Sequence, residues 1–74
     1  MNIIELNKNL LEMDIPRDSY SLGSDSNESL CLVCEGELWS VYYSEKGTRT
    51  GEKKFYSENE ACNFFLKRIK SFFT

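Results

Sequence analysis

Residues 30–44, Leu-Cys-Leu-Val-Cys-Glu-Gly-Glu-Leu-Trp-Ser-Val-Tyr-Tyr-Ser, fold on paper into one β-hairpin whose register checks itself. A two-residue turn at Gly36-Glu37 sets Cys34 opposite Trp39, Leu32 opposite Val41 and Leu30 opposite Tyr43, so both strands place apolar residues on one face. This hairpin decides the fold because it assigns that face to the core and leaves Cys31, Val33 and Tyr42 on the other. It also separates Cys31 from Cys34. Strand side chains alternate, so the two thiols point to opposite faces.

Working outward toward the N-terminus, Ile3, Leu6, Leu10 and Met13 recur at helical spacing, with Ile4 and Leu11 widening the stripe. The pattern predicts a helix over residues 3–13. Asn2 and Glu5 match a capping box, and Pro16 disfavours helical geometry at Ile15. Tyr20-Ser21-Leu22 reads as a short strand entering a polar turn. Beyond the hairpin, residues 45–51 read as a polar connection long enough to project from the sheet. Residues 53–56 then read as a last strand whose Lys53 and Lys54 guard an exposed edge.

Ser57 and Glu60 match a second capping box, with Tyr56 and Ala61 placed as a hydrophobic staple. Ala61, Cys62, Phe65, Leu66, Ile69, Phe72 and Phe73 then form the apolar stripe of a final helix, opposite Lys67 and Lys70. The expected fold is a single α+β domain, residues 1–74, in the order α-β-β-β-β-α. It is a two-layer sandwich in which an antiparallel sheet of three to four strands carries both helices on one face. The second sheet face, with Tyr42, Cys31 and Val33, is expected to be open, either as a binding surface or as the weakly polar side of a small sheet.

A chain of 74 residues with 41% hydrophobic and 14% aromatic content has the composition of a compact domain, not of a disordered tail. The opening residues lack the basic start and long apolar stretch of a signal peptide, and no apolar run is long enough to cross a membrane. A cytoplasmic location with three reduced thiols is therefore expected. The net charge of −3 is unevenly spread. Up to Leu38 eight acids (Glu5, Glu12, Asp14, Asp18, Asp25, Glu28, Glu35, Glu37) face two bases, Lys8 and Arg17. From Trp39 onward four acids (Glu45, Glu52, Glu58, Glu60) face seven bases (Lys46, Arg49, Lys53, Lys54, Lys67, Arg68, Lys70). An acidic surface repels nucleic acid and attracts a basic protein, although ordinary solubility accounts for surface charge more often than binding does.

Cys31-x-x-Cys34 is the one motif with a named chemistry, but a zinc site needs four ligands and the chain has no histidine and one further cysteine. A thioredoxin-type pair would sit at a helix start, and this one lies in a strand. Without histidine the common hydrolytic mechanisms lose their usual base. Glu58 and Glu60 serve as capping residues, and Gly47–Gly51 lacks a P-loop lysine. The residues thus point to a domain that is not an enzyme and has no cofactor, no metal, no nucleic-acid partner and no membrane partner.

Tyr20-Ser-Leu-Gly23, Glu28-Ser-Leu-Cys31-Leu, Trp39-x-Val41-Tyr-Tyr43-x-Glu45-x-Gly47 and Phe55-x-x-Glu58-x-Glu60-Ala-Cys62-x-Phe64-Phe65-Leu66 together resemble small immunity proteins of bacterial polymorphic toxin systems. The resemblance spans most of the chain after the first helix. It implies a protein that blocks a cognate toxin by tight, stoichiometric binding. The chain departs from the family pattern at Lys46, where the pattern carries an arginine, so a bidentate contact is not carried over. Expected partner contacts are Tyr42, Glu45, Lys46 and Arg49, with Asp25 and Glu28 as acidic candidates. Two alternatives stand beside this one: a regulatory or adaptor domain for another cytoplasmic protein, and a homodimeric structural module.

Overall fold

The computed structural model describes residues 1–73. Helix α1 (Ile3–Glu12) is followed by a 3-10 turn (Arg17–Ser19) and by strands β1 (Tyr20–Leu22), β2 (Ser29–Glu35), β3 (Leu38–Glu45) and β4 (Thr48–Phe55); helix α2 (Glu58–Phe72) closes the order. The strands lie side by side as β1-β2-β3-β4, and β2, β3 and β4 form an antiparallel meander. The α-β-β-β-β-α order and the α+β class are as the sequence predicts.

The first strand corrects the all-antiparallel expectation. Tyr20 pairs with Leu30 and Leu22 with Leu32, so β1 runs parallel to β2 and the sheet is mixed. A parallel neighbour requires the chain to travel back before the next strand begins, usually over a dozen residues or more. Here residues 23–28 suffice because β1 is only three residues long. Their return path crosses the face of the sheet opposite the helices, and that path governs the candidate site.

The central hairpin has the predicted register, with Leu30 opposite Tyr43, Leu32 opposite Val41 and Cys34 opposite Trp39. Gly36 sits at φ +66 at the first turn position, as a II′ hairpin turn requires. Leu30, Leu32 and Val41 are fully buried in the main core with Leu6, Leu10, Ile15, Tyr20, Ala61, Cys62, Phe65 and Ile69. Trp39 and Tyr43 pack at its margin. Cys34, read as a core residue, is exposed. It lies beside the turn at the sheet's end, where its thiol donates to the Gly36 carbonyl at 3.6 Å.

Helix α1 begins on the predicted capping box: the Glu5 amide donates to Asn2 Oδ1 at 2.8 Å and the Asn2 amide to Glu5 Oε1 at 3.2 Å. It ends before Pro16 can act. Asp14 turns into the left-handed region at φ +56, the Asp14 amide donates to the Leu11 carbonyl at 3.2 Å, and the Ile15 amide donates to the Leu10 carbonyl at 3.2 Å. This is a Schellman ending, and the apolar contact that accompanies it joins Leu10 and Ile15 within the core. In α2 the Glu60 amide donates to Ser57 Oγ at 3.3 Å. Glu58 caps the other helix instead, its Oε2 accepting from the Ile3 amide at 2.9 Å. Tyr56, expected as a staple, is 84% exposed.

The predicted projecting connection is strand. Lys46 (φ +49) and Gly47 (φ +80) form a tight turn between β3 and β4, matching the two left-handed residues of a I′ hairpin. A bulge then leaves Gly51 and Glu52 between the pairs Tyr43–Thr50 and Val41–Lys53. Gly51 supplies the bulge with φ +63, a geometry glycine adopts without a Cβ penalty. The tight turn pairs Thr48, Arg49 and Thr50 with β3 where the sequence predicts a polar loop, and the bulge carries β4 on to Phe55 with one extra residue.

Candidate protein-binding surface

The second sheet face is not open. Cys31 and Tyr42 are fully buried there and Val33 is 8% exposed, forming a small second core. Two coverings close it: the 23–28 segment, crossing as β1's parallel pairing demands, and the Arg49 side chain reaching over from β4.

Asp25 anchors the segment. Its Oδ2 accepts from the Tyr42 hydroxyl at 2.6 Å and its Oδ1 from the Ser44 hydroxyl at 3.2 Å. The Ser26 amide donates to the Cys31 sulfur at 3.4 Å, and the Glu28 amide donates to the Ser44 carbonyl at 2.7 Å. At the far end the Lys46 amide donates to Asn27 Oδ1 at 2.7 Å, which ties the segment to the β3–β4 turn. Ser29, Ser40 and Ser44 are buried beneath these coverings, where their small side chains let another layer approach and their hydroxyls find acceptors.

Arg49 stacks its guanidinium 4.2 Å above the Tyr42 ring centroid. Its fork meets Glu35 in a bidentate pair, Nη1 to Oε1 at 2.9 Å and Nη2 to Oε2 at 2.8 Å, while Nη1 also donates to Glu52 Oε2 at 2.7 Å. Ser40 Oγ donates to Glu35 Oε1 at 3.2 Å. Planar, bidentate and stacked geometry is what arginine provides and lysine does not. The hydrogen bond from Arg49 pushes the Glu35 carboxyl down to about 2. Burial, then the Asp25 hydrogen bond, raise the Tyr42 phenol above its ordinary value. Burial raises the Cys31 thiol as well, and pushes Cys62 up to about 11. Thiols shifted this way are poor nucleophiles at neutral pH.

The six residues expected to contact a partner therefore divide. Tyr42, Arg49 and Asp25 are gathered into one cluster, but their binding groups face each other; Tyr42 is buried and its hydroxyl is engaged. Glu28, Glu45 and Lys46 are exposed at the join of the crossing segment and the β3–β4 turn. Glu35 and Glu52 complete the Arg49 cluster and were not expected there. Alternation places Glu35 on the Tyr42 face, but its meeting with Arg49 follows from the tight turn that pairs Arg49 with Ser44, a pairing the reading of residues 45–51 as a loop does not contain.

No group of three or more metal-ligating side chains occurs among the described residues, and no helix among them is long and apolar enough to cross a membrane. No protein-family model matches the chain, and neither the curated proteins nor the solved structures include a match to it.

Proposed function

We propose that this chain is a non-catalytic immunity protein of a bacterial polymorphic toxin system, acting in the cytoplasm by binding its cognate toxin stoichiometrically. The observation that carries the reading is the acidic ridge formed by the crossing segment and the β3–β4 turn. Asp25 and Asn27 lock the ridge to the sheet from below while Glu28 and Glu45 project into solvent beside Lys46, which leaves the ridge acidic on balance. A segment already held in place loses little freedom on binding. Exposed carboxylates also steer a basic partner, such as a nuclease domain, into encounter.

Inhibition would proceed by occlusion, which requires a fixed surface and no reacting group. The test is co-expression with the variable C-terminal domain of a toxin encoded beside this gene. Cells carrying both should survive where the toxin domain alone kills. Equal killing with and without this protein would refute the immunity reading.

A further inference from the structure

The two coverings of the second core are fastened differently. Arg49 reaches over the Tyr42 ring and is clamped by Glu35 and Glu52. The crossing segment is joined to the sheet by backbone at its two ends, where the Gly23 amide donates to the Leu32 carbonyl and the Glu28 amide to the Ser44 carbonyl, each at 2.7 Å. Residues 24–27 between them are exposed and, among the described residues, meet the sheet through side chains. The Asp25 carboxylate accepts from Tyr42 and Ser44, Asn27 Oδ1 accepts from the Lys46 amide, and the Cys31 thiol meets the Ser26 backbone.

Both ends of this stretch lie in the left-handed region, Gly23 at φ +91 and Glu28 at φ +56. The sheet separates the three buried residues of the second core from the eleven of the main core, so the segment can leave its place without removing anything from between the helices and the sheet. Regions with few buried apolar contacts and no ladder of their own open first. We infer that residues 24–27 are a latched strap, which lifts from the sheet about Gly23 and Glu28 while both helices stay packed, with Asp25 as its latch. The closed state is the ground state, because a carboxylate that accepts from two hydroxyls is a charge-assisted fastening. Lifting bares the Cys31 thiol and the Tyr42 hydroxyl and leaves Arg49 over the ring. The acidic ridge is assembled when the strap is down, since Asn27 then ties the crossing segment to the turn that carries Glu45. The strap therefore sets the fraction of chains that present the ridge. That consequence rests on the protein-binding reading, whereas the opening itself does not.

Three cysteines in three environments supply the readout: Cys34 is exposed, Cys31 lies beneath the strap and Cys62 lies in the main core. The intact chain is alkylated with iodoacetamide under native conditions, and each thiol is followed separately by mass spectrometry. A buried thiol reacts through openings, so its rate tracks the population of the open form. Cys31 should react about tenfold or more slower than Cys34 and about tenfold or more faster than Cys62. Asp25→Ala should speed Cys31 by about tenfold or more. Tyr42→Phe, which removes the hydroxyl and keeps the ring under Arg49, should act in the same direction. Ile69→Val trims the main core and should lower the melting temperature and speed Cys62. It should leave Cys31 within about twofold, because the closed and lifted states both keep that core intact.

Cys31 and Cys62 reacting at one rate, or rising together in Ile69→Val, would overturn the inference, since Cys31 would then be reached by global unfolding. A Cys31 rate equal to that of Cys34 would overturn it as well, because nothing would be latched. So would an unchanged Cys31 rate in Asp25→Ala. The co-expression assay keeps this inference distinct from the proposed function. Loss of immunity in that assay leaves the strap standing, and a Cys31 that opens only with Cys62 leaves immunity standing on a permanently formed ridge.

Discussion

Two tyrosines show how one hydroxyl can act in opposite senses. The Tyr20 hydroxyl is buried with no hydrogen-bond partner among the described residues, whereas the buried Tyr42 ring delivers its hydroxyl to the Asp25 carboxylate. An unsatisfied buried donor costs its desolvation, while a bond to a charged acceptor is worth more than a neutral one. Tyr20→Phe should therefore raise stability by about 1 kcal/mol and Tyr42→Phe lower it by about 1 to 2 kcal/mol. For a domain of this size, thermal melts should move in opposite directions by roughly 4 to 8 °C per kcal/mol. A loss of stability in Tyr20→Phe would mean that the hydroxyl has a partner. Neither role is legible in the sequence. Alternation assigns Tyr42 to the second face correctly, but whether that face is wet or covered depends on where six residues of loop run, and loop paths follow from pairing between strands. The same limit explains Cys34, whose face is correct and whose distance from the helices no alternation reveals.

At the scale of elements, what repeats in sequence was legible and what crosses between elements was not. The hairpin register followed from two apolar sets that must share a face, and both helices followed from their stripes. The sequence places the stop of α1 near Pro16, but Asp14 executes it at φ +56, a conformation glycine adopts more cheaply. Asp14→Gly should stabilise the chain by about 0.5 to 1 kcal/mol in denaturant melts; a loss would show that the aspartate side chain contributes more than its backbone costs. The Arg49–Glu35 pair joins β4 to β2 across the intervening strand, and its acid response has a defined sign. A carboxyl lowered from 4.5 to about 2 in the fold contributes stability that is fully present above pH 4.5 and is lost as pH falls toward 2. Glu35→Gln should therefore flatten the fall in melting temperature between pH 4.5 and 2. If the variant and the parent lose stability in parallel over that range, the pair does not couple to folding.

At the scale of the whole molecule, charge is segregated more sharply than the net value of −3 suggests. Apart from Lys46, which lies on the ridge, the bases of the second half gather around α2 and β4, where Lys53 and Arg68 both approach the Phe64 ring and Arg68 donates to the Gly51 carbonyl at 2.7 Å. The ridge carboxylates Glu28 and Glu45 have no ion-pair role in the fold among the described residues. Reversing both, Glu28→Lys with Glu45→Lys, shifts the net charge by four, from −3 to +1. It should change stability by no more than about 0.5 kcal/mol, as surface substitutions away from packed features do. On the proposed immunity reading, binding to a basic cognate toxin domain should respond quite differently. The association rate should fall about tenfold or more at low salt, because steering by long-range charge acts on encounter before contact. The difference should close near 1 M salt, where the Debye length shrinks to about 3 Å, and dissociation should change much less. Stopped-flow association across a salt series separates these terms. An unchanged association rate at low salt would move the binding surface off the ridge, whereas a large change in dissociation at all salt concentrations would make the two carboxylates direct contacts instead of steering charges.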